Sequence, residues 1–140
     1  MGRRVVRGIL TPGKRRALVV AFCQTLPITA GPLAGTLLEL RPWQKRFIRS
    51  IYRTDRNGNR RVRTAVLSVA RKNGKTQLAS CLALAHLCGP LAEPRGECYA
   101  VACTRFQAAR VFNEMVAIIT RTPWLDARIN IIRFRKELSA

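Results

Sequence analysis

The sequence predicts an α/β fold in which a parallel sheet is flanked by helices. Short apolar segments alternate with segments of helical periodicity, in the order strand, helix, strand, helix, strand, which is typical of right-handed crossovers in a parallel sheet. Hydrophobic residues make up 48% of the 140 residues, which suits the packed core of one domain. A Gly-Lys-Thr triplet also lies between the first predicted strand and the helix after it.

The residues before the first strand predict two helices separated by a loop. Met1–Arg16 is basic and contains a Thr-Pro-Gly turn signal, so we expect a mobile arm there. Ala17–Leu26 predicts a short helix closed by a proline, and Thr29–Thr36, with two glycines and a proline, predicts a loop. Arg41–Tyr52 predicts a second helix, because a proline suits its first turn and apolar residues recur at helical spacing. The recurring residues are Trp43, Phe47, Ile48, Ile51 and Tyr52.

The second half of the chain supplies the alternating elements. Thr64–Val69 and Glu97–Cys103 are short and apolar and predict buried strands, and Ile129–Phe134 predicts a third. Lys75–Cys88 is apolar on nearly every side, which predicts an interior helix. Arg105–Thr120 predicts an amphipathic helix. Its apolar side would carry Phe106, Ala109, Phe112, Val116 and Ile119.

The charge balance points to a polyanionic partner. Twenty-six Lys and Arg stand against seven Asp and Glu, for a net charge of +19, and self-repulsion at that charge opposes compaction unless a polyanion screens it. Nucleic acid is the first candidate and an anionic membrane surface the second; the alternative is a solvated basic face. A predicted turn at Thr54–Asn59 leads directly into a basic cluster of Arg60, Arg61 and Arg63.

Cysteine usage and hydropathy predict a cytoplasmic protein. None of the five cysteines forms a C-x-x-C pair and the single histidine, His86, lies in an apolar run, so a zinc site is poorly supported. No apolar run has the length that a bilayer crossing needs. The run Ala17–Cys23 follows basic residues but is short for a signal peptide.

The stretch SVARKNGKTQLA, Ser68–Ala79, is the most informative part of the sequence. A phosphate loop at a strand-to-helix turn uses backbone N–H groups, a lysine and a Ser/Thr hydroxyl to hold phosphates and magnesium. Gly74 would permit close backbone approach, Lys75 would neutralise the phosphates, and Thr76 would be the magnesium ligand. Val69 stands where the usual pattern has its first glycine.

Basic side chains within the loop offer a compensation for that missing glycine. Arg71 and Lys72 could add charge-assisted hydrogen bonds to a phosphate, each of about 1.5–3 kcal/mol. Upstream, Gln44 follows a tryptophan at the start of a predicted helix and could present its amide to an adenine edge. The alternatives are an incidental Gly-Lys-Thr in a basic protein and a glutamine that lies at the surface.

Three segments together, LRPWQKRFIRSIY, TAVLSVARKNGKTQLAS and GECYAVACTRFQAARVFNEM, resemble the ATPase domain of tailed-phage terminase large subunits. These are the motors that drive double-stranded DNA into a prohead. The resemblance runs from about Phe22 to the C-terminus. It implies a partial P-loop NTPase fold over residues 22–140, preceded by a basic arm over residues 1–21. The family's phosphate loop commonly lacks the leading glycine and carries a basic residue near Arg71.

The resemblance also implies roles for individual residues. Arg71–Thr76, including Lys72, Asn73 and Gly74, would bind the phosphates of ATP and Mg²⁺, with Lys75 and Arg71 acting in catalysis and Thr76 on the metal. Gln44 matches the family's adenine-sensing glutamine, and Gln107 matches a recurrent glutamine without an assigned role. The implied partners are double-stranded DNA, a terminase small subunit and a portal, in the bacterial host cytoplasm and without a membrane. A homo-oligomer is implied for the full-length parent.

Two departures from the family limit what we expect of this chain. The family's acidic motif is an apolar strand that ends in an Asp-Glu pair, and none of the seven acids follows an apolar run as such a pair. The family's nuclease domain is also absent, so we expect a fold that is incomplete at the C-terminus. We therefore expect weak ATP binding without useful turnover. The alternatives are a basic DNA-binding module with an incidental Gly-Lys-Thr and another, helicase-like motor ATPase.

Overall fold

The computed structural model describes residues 12–132 and 135–139. In this part of the chain the helices are α1 (Pro12–Cys23), α2 (Pro42–Ile51), α3 (Lys75–Leu87), α4 (Arg105–Thr120) and α5 (Pro123–Asp126), and the strands are β1 (Asn130–Ile132) and β2 (Glu137–Ser139). The helices α2, α3 and α4 confirm the predicted helices to within one residue at each end. None of the described helices has both the length and the apolar character that a bilayer crossing needs.

The first helix begins earlier than predicted. Residues 12–16, expected to belong to a basic arm, form the first turn of α1, which ends at Cys23 rather than Leu26. The fixed φ of proline suits the first position of a helix as well as a turn, so Pro12 starts α1 where the sequence pattern indicated a turn. The rest of the predicted arm, residues 1–11, lies outside the described residues.

The α3 helix is the centre of the core. It packs against α1 on one side and α4 on the other, while α2 packs against α1. Leu78, Cys81 and Leu84 recur at spacings of three on its buried face, and each leucine there is fully buried. Complete burial of a leucine stabilises a fold by about 1.5–3 kcal/mol, so this face anchors the start of α3, where the phosphate loop joins it.

The predicted parallel sheet is not confirmed. The described residues contain one two-stranded antiparallel sheet, in which Ile131 of β1 lies opposite Leu138 of β2. β1 falls within the predicted strand Ile129–Phe134, of which residues 133 and 134 lie outside the described residues. The other predicted strands, Thr64–Val69 and Glu97–Cys103, have no ladder partner in the described part of the chain.

Exposed apolar side chains mark those two unpaired segments. Val66, Tyr99 and Val101 are 85%, 81% and 89% exposed. A strand requires a neighbouring segment in register to accept its backbone hydrogen bonds. The apolar pattern indicates a surface suited to burial, whereas the identity of the partner strand is not encoded locally, so the pattern alone does not establish a sheet.

The helices also deviate in detail from the predicted apolar faces. Ala109, Val116 and Ile119 of α4 are buried as predicted, whereas Phe106 is 74% exposed. The buried positions of α4 begin only at Ala109, so its first turn extends beyond the core. α3 is likewise buried on one face only, because Ala79 is exposed.

A candidate phosphate-binding site

The phosphate loop obtains its turn from residues other than the one where the usual motif has glycine. Lys72 and Gly74 both have left-handed backbones, with φ of +63° and +71°, and Val69 is not among the described residues with positive φ. An L-residue in this conformation costs about 1–2 kcal/mol, which Gly74 avoids and Lys72 does not. Because the turn occurs three to five residues later, valine is compatible with position 69.

The side chains of Lys75 and Asn73 close the loop upon itself. The Lys75 ammonium Nζ donates to the carbonyl of Val69 at 2.7 Å and lies 3.5 Å from the carbonyl of Ala70. The Asn73 amide Nδ2 donates to the same Ala70 carbonyl at 3.2 Å. These bonds hold the lysine charge over the start of the loop, beside the turn at Gly74.

The N-terminus of α3 opens directly onto this loop. Gly74 is its N-cap, and no side chain in the described part of the chain caps it. The first intrahelical bond runs from Leu78 N to Gly74 O at 2.9 Å, so the preceding N–H groups have no helical acceptor. An uncapped helix N-terminus presents donors and partial positive charge, a combination that binds anions.

A cavity of about 270 Å³ lies at this helix N-terminus. It has room for an anion and is walled by the loop on one side and by residues distant in sequence on the other. The lining residues are Ile28, Thr29, Ala30, Lys72, Asn73, Gly74, Lys75, Thr76, Gln77 and Glu114. Five of the six residues of the predicted phosphate site, Lys72 to Thr76, therefore share one cavity.

Arg71 and Gln107 lie outside that cavity. Arg71 is exposed and is not one of its lining residues. Gln107 donates its backbone N–H to the Thr104 hydroxyl at 3.2 Å, which caps α4. Gln107 lines a separate, larger groove of about 1030 Å³ formed by α3, α4, residues 96–102 and the β1–β2 sheet.

Gln44 is buried against the phosphate loop rather than at the surface. Its Oε1 accepts a hydrogen bond from the backbone N–H of Arg41 at 2.8 Å, which is one half of a capping box at the start of α2. Its Nε2 lies 3.7 Å from the position that a Cβ on Gly74 would occupy. Gln44 at the start of α2 thus lies beside the turn of the loop.

Glu114 was missed by the sequence reasoning. Its Oε1 accepts a hydrogen bond from the Thr29 hydroxyl at 2.5 Å, and it is the one carboxylate that lines the cavity. Gln77 Nε2 also donates to the carbonyl of Pro27, at 3.4 Å. Two contacts thus fasten the loop after Leu26 to α3 and α4 beside this cavity. No local pattern marks Glu114, because its position depends on how α4 packs on α3.

Two residues with oxygen ligands suited to a magnesium ion line the cavity. Thr76 offers an exposed hydroxyl and Glu114 a carboxylate, both hard ligands of the kind that Mg²⁺ prefers. The backbone carbonyl of Thr76 accepts from the Ser80 hydroxyl at 2.8 Å, and the same hydroxyl lies 3.3 Å from the carbonyl of Val111. Ser80 is fully buried, so it fixes the first turn of α3 against α4 and thereby the position of Thr76.

Comparisons with known proteins identify the family. The large terminase subunit of Enterobacteria phage HK97 is 38% identical over 130 residues, which is 92% of this chain and 24% of that protein. The crystal structure of the HK97 bacteriophage large terminase matches with a TM-score of 0.76 at 35% identity, over 89% of this chain and 25% of the other. This chain thus spans about a quarter of the length of these relatives. The family described as terminase large subunit, ATPase domain, matches residues 42–137, and the chain belongs to it.

Proposed function

We propose that this chain is the ATP-binding part of a phage or prophage DNA-packaging motor. Arg71–Thr76 hold the phosphates of ATP, with Lys75 as the neutralising charge and Thr76 as the ligand of Mg²⁺. The observation that carries the proposal is the cavity at the uncapped N-terminus of α3, which Lys72 and Lys75 both line. Mg²⁺, when bound, would neutralise charge on the phosphates.

The remaining predicted residues act around this centre. Arg71, exposed at the edge of the loop, contacts the phosphates from the solvent side. Gln44, which lies beside the loop at Gly74, is the residue that would recognise the adenine. Lys75 must exchange its bonds with the loop carbonyls for bonds with phosphate oxygens, and this exchange is favourable because charge-assisted bonds between two ions are the stronger ones.

Lys75 and Thr76 provide the test of ATP binding. With ATP at ten times its dissociation constant, binding stabilises the native chain by about 1.4 kcal/mol and raises Tm by about 3–6 °C. Lys75→Ala should abolish the increase, and Thr76→Ala should abolish its dependence on Mg²⁺, while Thr76→Ser keeps the hydroxyl and the dependence. Lys14→Ala, at an exposed lysine of α1, is the matched control. An equal increase in wild type and Lys75→Ala would refute the site.

We further propose that the isolated chain binds ATP without useful turnover. Hydrolysis requires positioning, metal and activation of water together. The cavity holds one carboxylate, Glu114, and that group already accepts a hydrogen bond from Thr29. A steady-state phosphate-release assay checks this; turnover that Lys75→Ala abolishes would contradict it.

The proposed partners follow from the motor. Double-stranded DNA would be the translocated polymer, with a terminase small subunit and a portal as protein partners in the host cytoplasm. The net charge of +19 favours a polyanion such as DNA. A basic DNA-binding module with an incidental Gly-Lys-Thr would bind DNA but gain no ATP protection that depends on Lys75, so the thermal assay separates the two functions.

A further inference from the structure

A short hairpin rich in arginine lies between α2 and the segment that leads to the phosphate loop. We call residues Arg53–Arg63 the arginine hairpin. Its two arms are joined by an antiparallel bridge between Thr54 and Arg60. Two backbone hydrogen bonds form this bridge, from Arg61 N to Arg53 O at 3.0 Å and from Asp55 N to Asn59 O at 2.9 Å. The hairpin therefore has a defined backbone rather than that of an open linker.

Asp55 fixes the turn of the arginine hairpin. Its Oδ1 accepts hydrogen bonds from the backbone N–H groups of Asn57 at 2.8 Å and Asn59 at 2.9 Å. The hydrogen bond from Asn59 is the main cause that lowers the pKa of Asp55. Gly58 completes the turn with φ of +82°. The ionised carboxylate thus accepts hydrogen bonds from backbone amides of its own turn.

The hairpin carries a strong positive charge on its surface. Its five arginines are all exposed, namely Arg53, Arg56, Arg60, Arg61 and Arg63. Asp55 is the only acidic residue between Glu39 and Glu93, so the hairpin has a net charge of +4 and no acidic neighbour in the sequence on either side.

The base of the hairpin is tied to the core. The Arg60 guanidinium lies over the ring of Tyr52, 5.2 Å from its centroid. Tyr52 is buried, and its hydroxyl is hydrogen-bonded to His86 Nε2 of α3 at 3.0 Å. Stacking on a buried ring holds one arginine in place, and the remaining four lie exposed on the same hairpin.

We propose that the arginine hairpin contacts the sugar-phosphate backbone of duplex DNA, an inference that rests on the proposed packaging function and assigns its DNA contact to one surface. Exposed arginines on a fixed backbone match phosphates, which arginine binds through paired N–H groups. The hairpin has no exposed aromatic ring, the group on which single-stranded bases stack. It also lacks the large apolar side chains that enter a membrane interface. Contact to phosphates alone is independent of base sequence, as a translocating motor requires.

The hairpin also lies close to the ATP site along the chain. Residues 64–70 separate Arg63 from Arg71, and eight Cα–Cα steps span at most about 29 Å. The last residue of the hairpin therefore lies within about that distance of the first residue of the predicted phosphate loop.

The experiment compares two variants of the full chain with equal net charge. The first replaces Arg56, Arg61 and Arg63 with glutamine and leaves Arg60 on Tyr52. The control replaces Arg95, Arg110 and Arg128, which are exposed elsewhere, in the same way. Binding of a labelled 30-base-pair duplex of arbitrary sequence is measured by fluorescence anisotropy from 50 to 400 mM NaCl. Circular dichroism checks that both variants remain folded.

The proposal gives separate expectations for the two variants. Loss of three phosphate contacts should lower the slope of log K against log salt by about 2.7 and weaken binding at 0.1 M salt on the order of 10²-fold. The control should bind within about threefold of wild type, because charge far from a polymer is screened beyond about 10 Å at that salt.

The possible failures are distinguishable. Equal weakening of DNA binding in the two variants would overturn the assignment of DNA contact to the hairpin and would leave the proposed packaging function unaffected. If the wild-type chain shows no salt-sensitive binding of duplex DNA, both the hairpin contact and the proposed packaging function would be overturned. Hairpin-dependent binding to duplex RNA or to anionic phosphatidylserine vesicles, with none to duplex DNA, would overturn the assignment of the partner.

Discussion

Gly74→Ala tests the conformation of the phosphate loop most directly. Gly74 has φ of +71°, and a Cβ there would lie 3.7 Å from Gln44 Nε2, an ordinary contact distance. Steric overlap therefore adds nothing, and the cost is the left-handed backbone itself, about 1–2 kcal/mol. Alanine also restricts the unfolded chain, which offsets about 0.4–1 kcal/mol. The expected loss of unfolding free energy is about 1 kcal/mol.

Gly74→Ala should also weaken the binding of ATP. If the loop relaxes away from the left-handed turn, restoring that turn on binding costs up to about 1 kcal/mol, which is about a fivefold loss of affinity. Urea unfolding followed by circular dichroism measures the stability, and isothermal titration with Mg-ATP measures the affinity.

Gly58→Ala is the matched control for this prediction. Gly58 has φ of +82° and open space around its Cα, so alanine there should cost a similar stability. It lies in the arginine hairpin, outside the cavity, and should leave ATP affinity unchanged. A Gly74→Ala variant as stable as wild type, or equal loss of ATP affinity in both variants, would refute the reasoning.

Two further predictions concern Glu114 and His86. Glu114→Gln keeps an oxygen to accept from Thr29 but removes the negative charge that lines the phosphate cavity, so ATP without metal should bind about three- to tenfold more tightly by titration; weaker binding would show that the carboxylate assists the ligand. Burial is the main cause that lowers the pKa of His86 in the native chain, from a usual value of 6.5, and the charge of Arg60 adds to it. Because its pKa is lower in the native chain, His86 binds more protons in the unfolded chain once the pH falls to about 6.5. The contribution of neutral His86 to the unfolding free energy should therefore be fully present above about that pH and decrease as the pH falls. His86→Gln should flatten the decrease between pH 7.5 and 5.5 in urea titrations, and an unchanged decrease would exclude His86 as its source.

Local signals predicted the helices well. α4 begins and ends at the predicted residues, Arg105 and Thr120, because helical periodicity is contained in one stretch of sequence. The turn at Thr54–Asn59 and the loop around Gly74 were equally visible, since each depends on the conformational preferences of a few neighbouring residues. The division into an arm and a domain at residue 22 stays a prediction.

Pairing between distant segments was not predictable in the same way. Thr64–Val69 and Glu97–Cys103 have the composition of buried strands, yet they have no ladder partner in the described residues. Hydrogen bonds of a strand depend on a neighbour that can lie anywhere in the chain. Apolar alternation therefore indicated what these segments could bury, without indicating what they would pair with.

The candidate site also combines residues that adjacent sequence predicts with residues that only tertiary packing brings together. The sequence by itself predicted a phosphate loop at Arg71 to Thr76 and determined the positive charge around it, because loop chemistry resides in adjacent residues. Only the tertiary structure decided that Glu114 and Thr29 form the opposite wall and that Gln44 lies beside Gly74. These residues are 30 to 85 positions apart in the sequence, and they lie together because α2, α3 and α4 pack around one core.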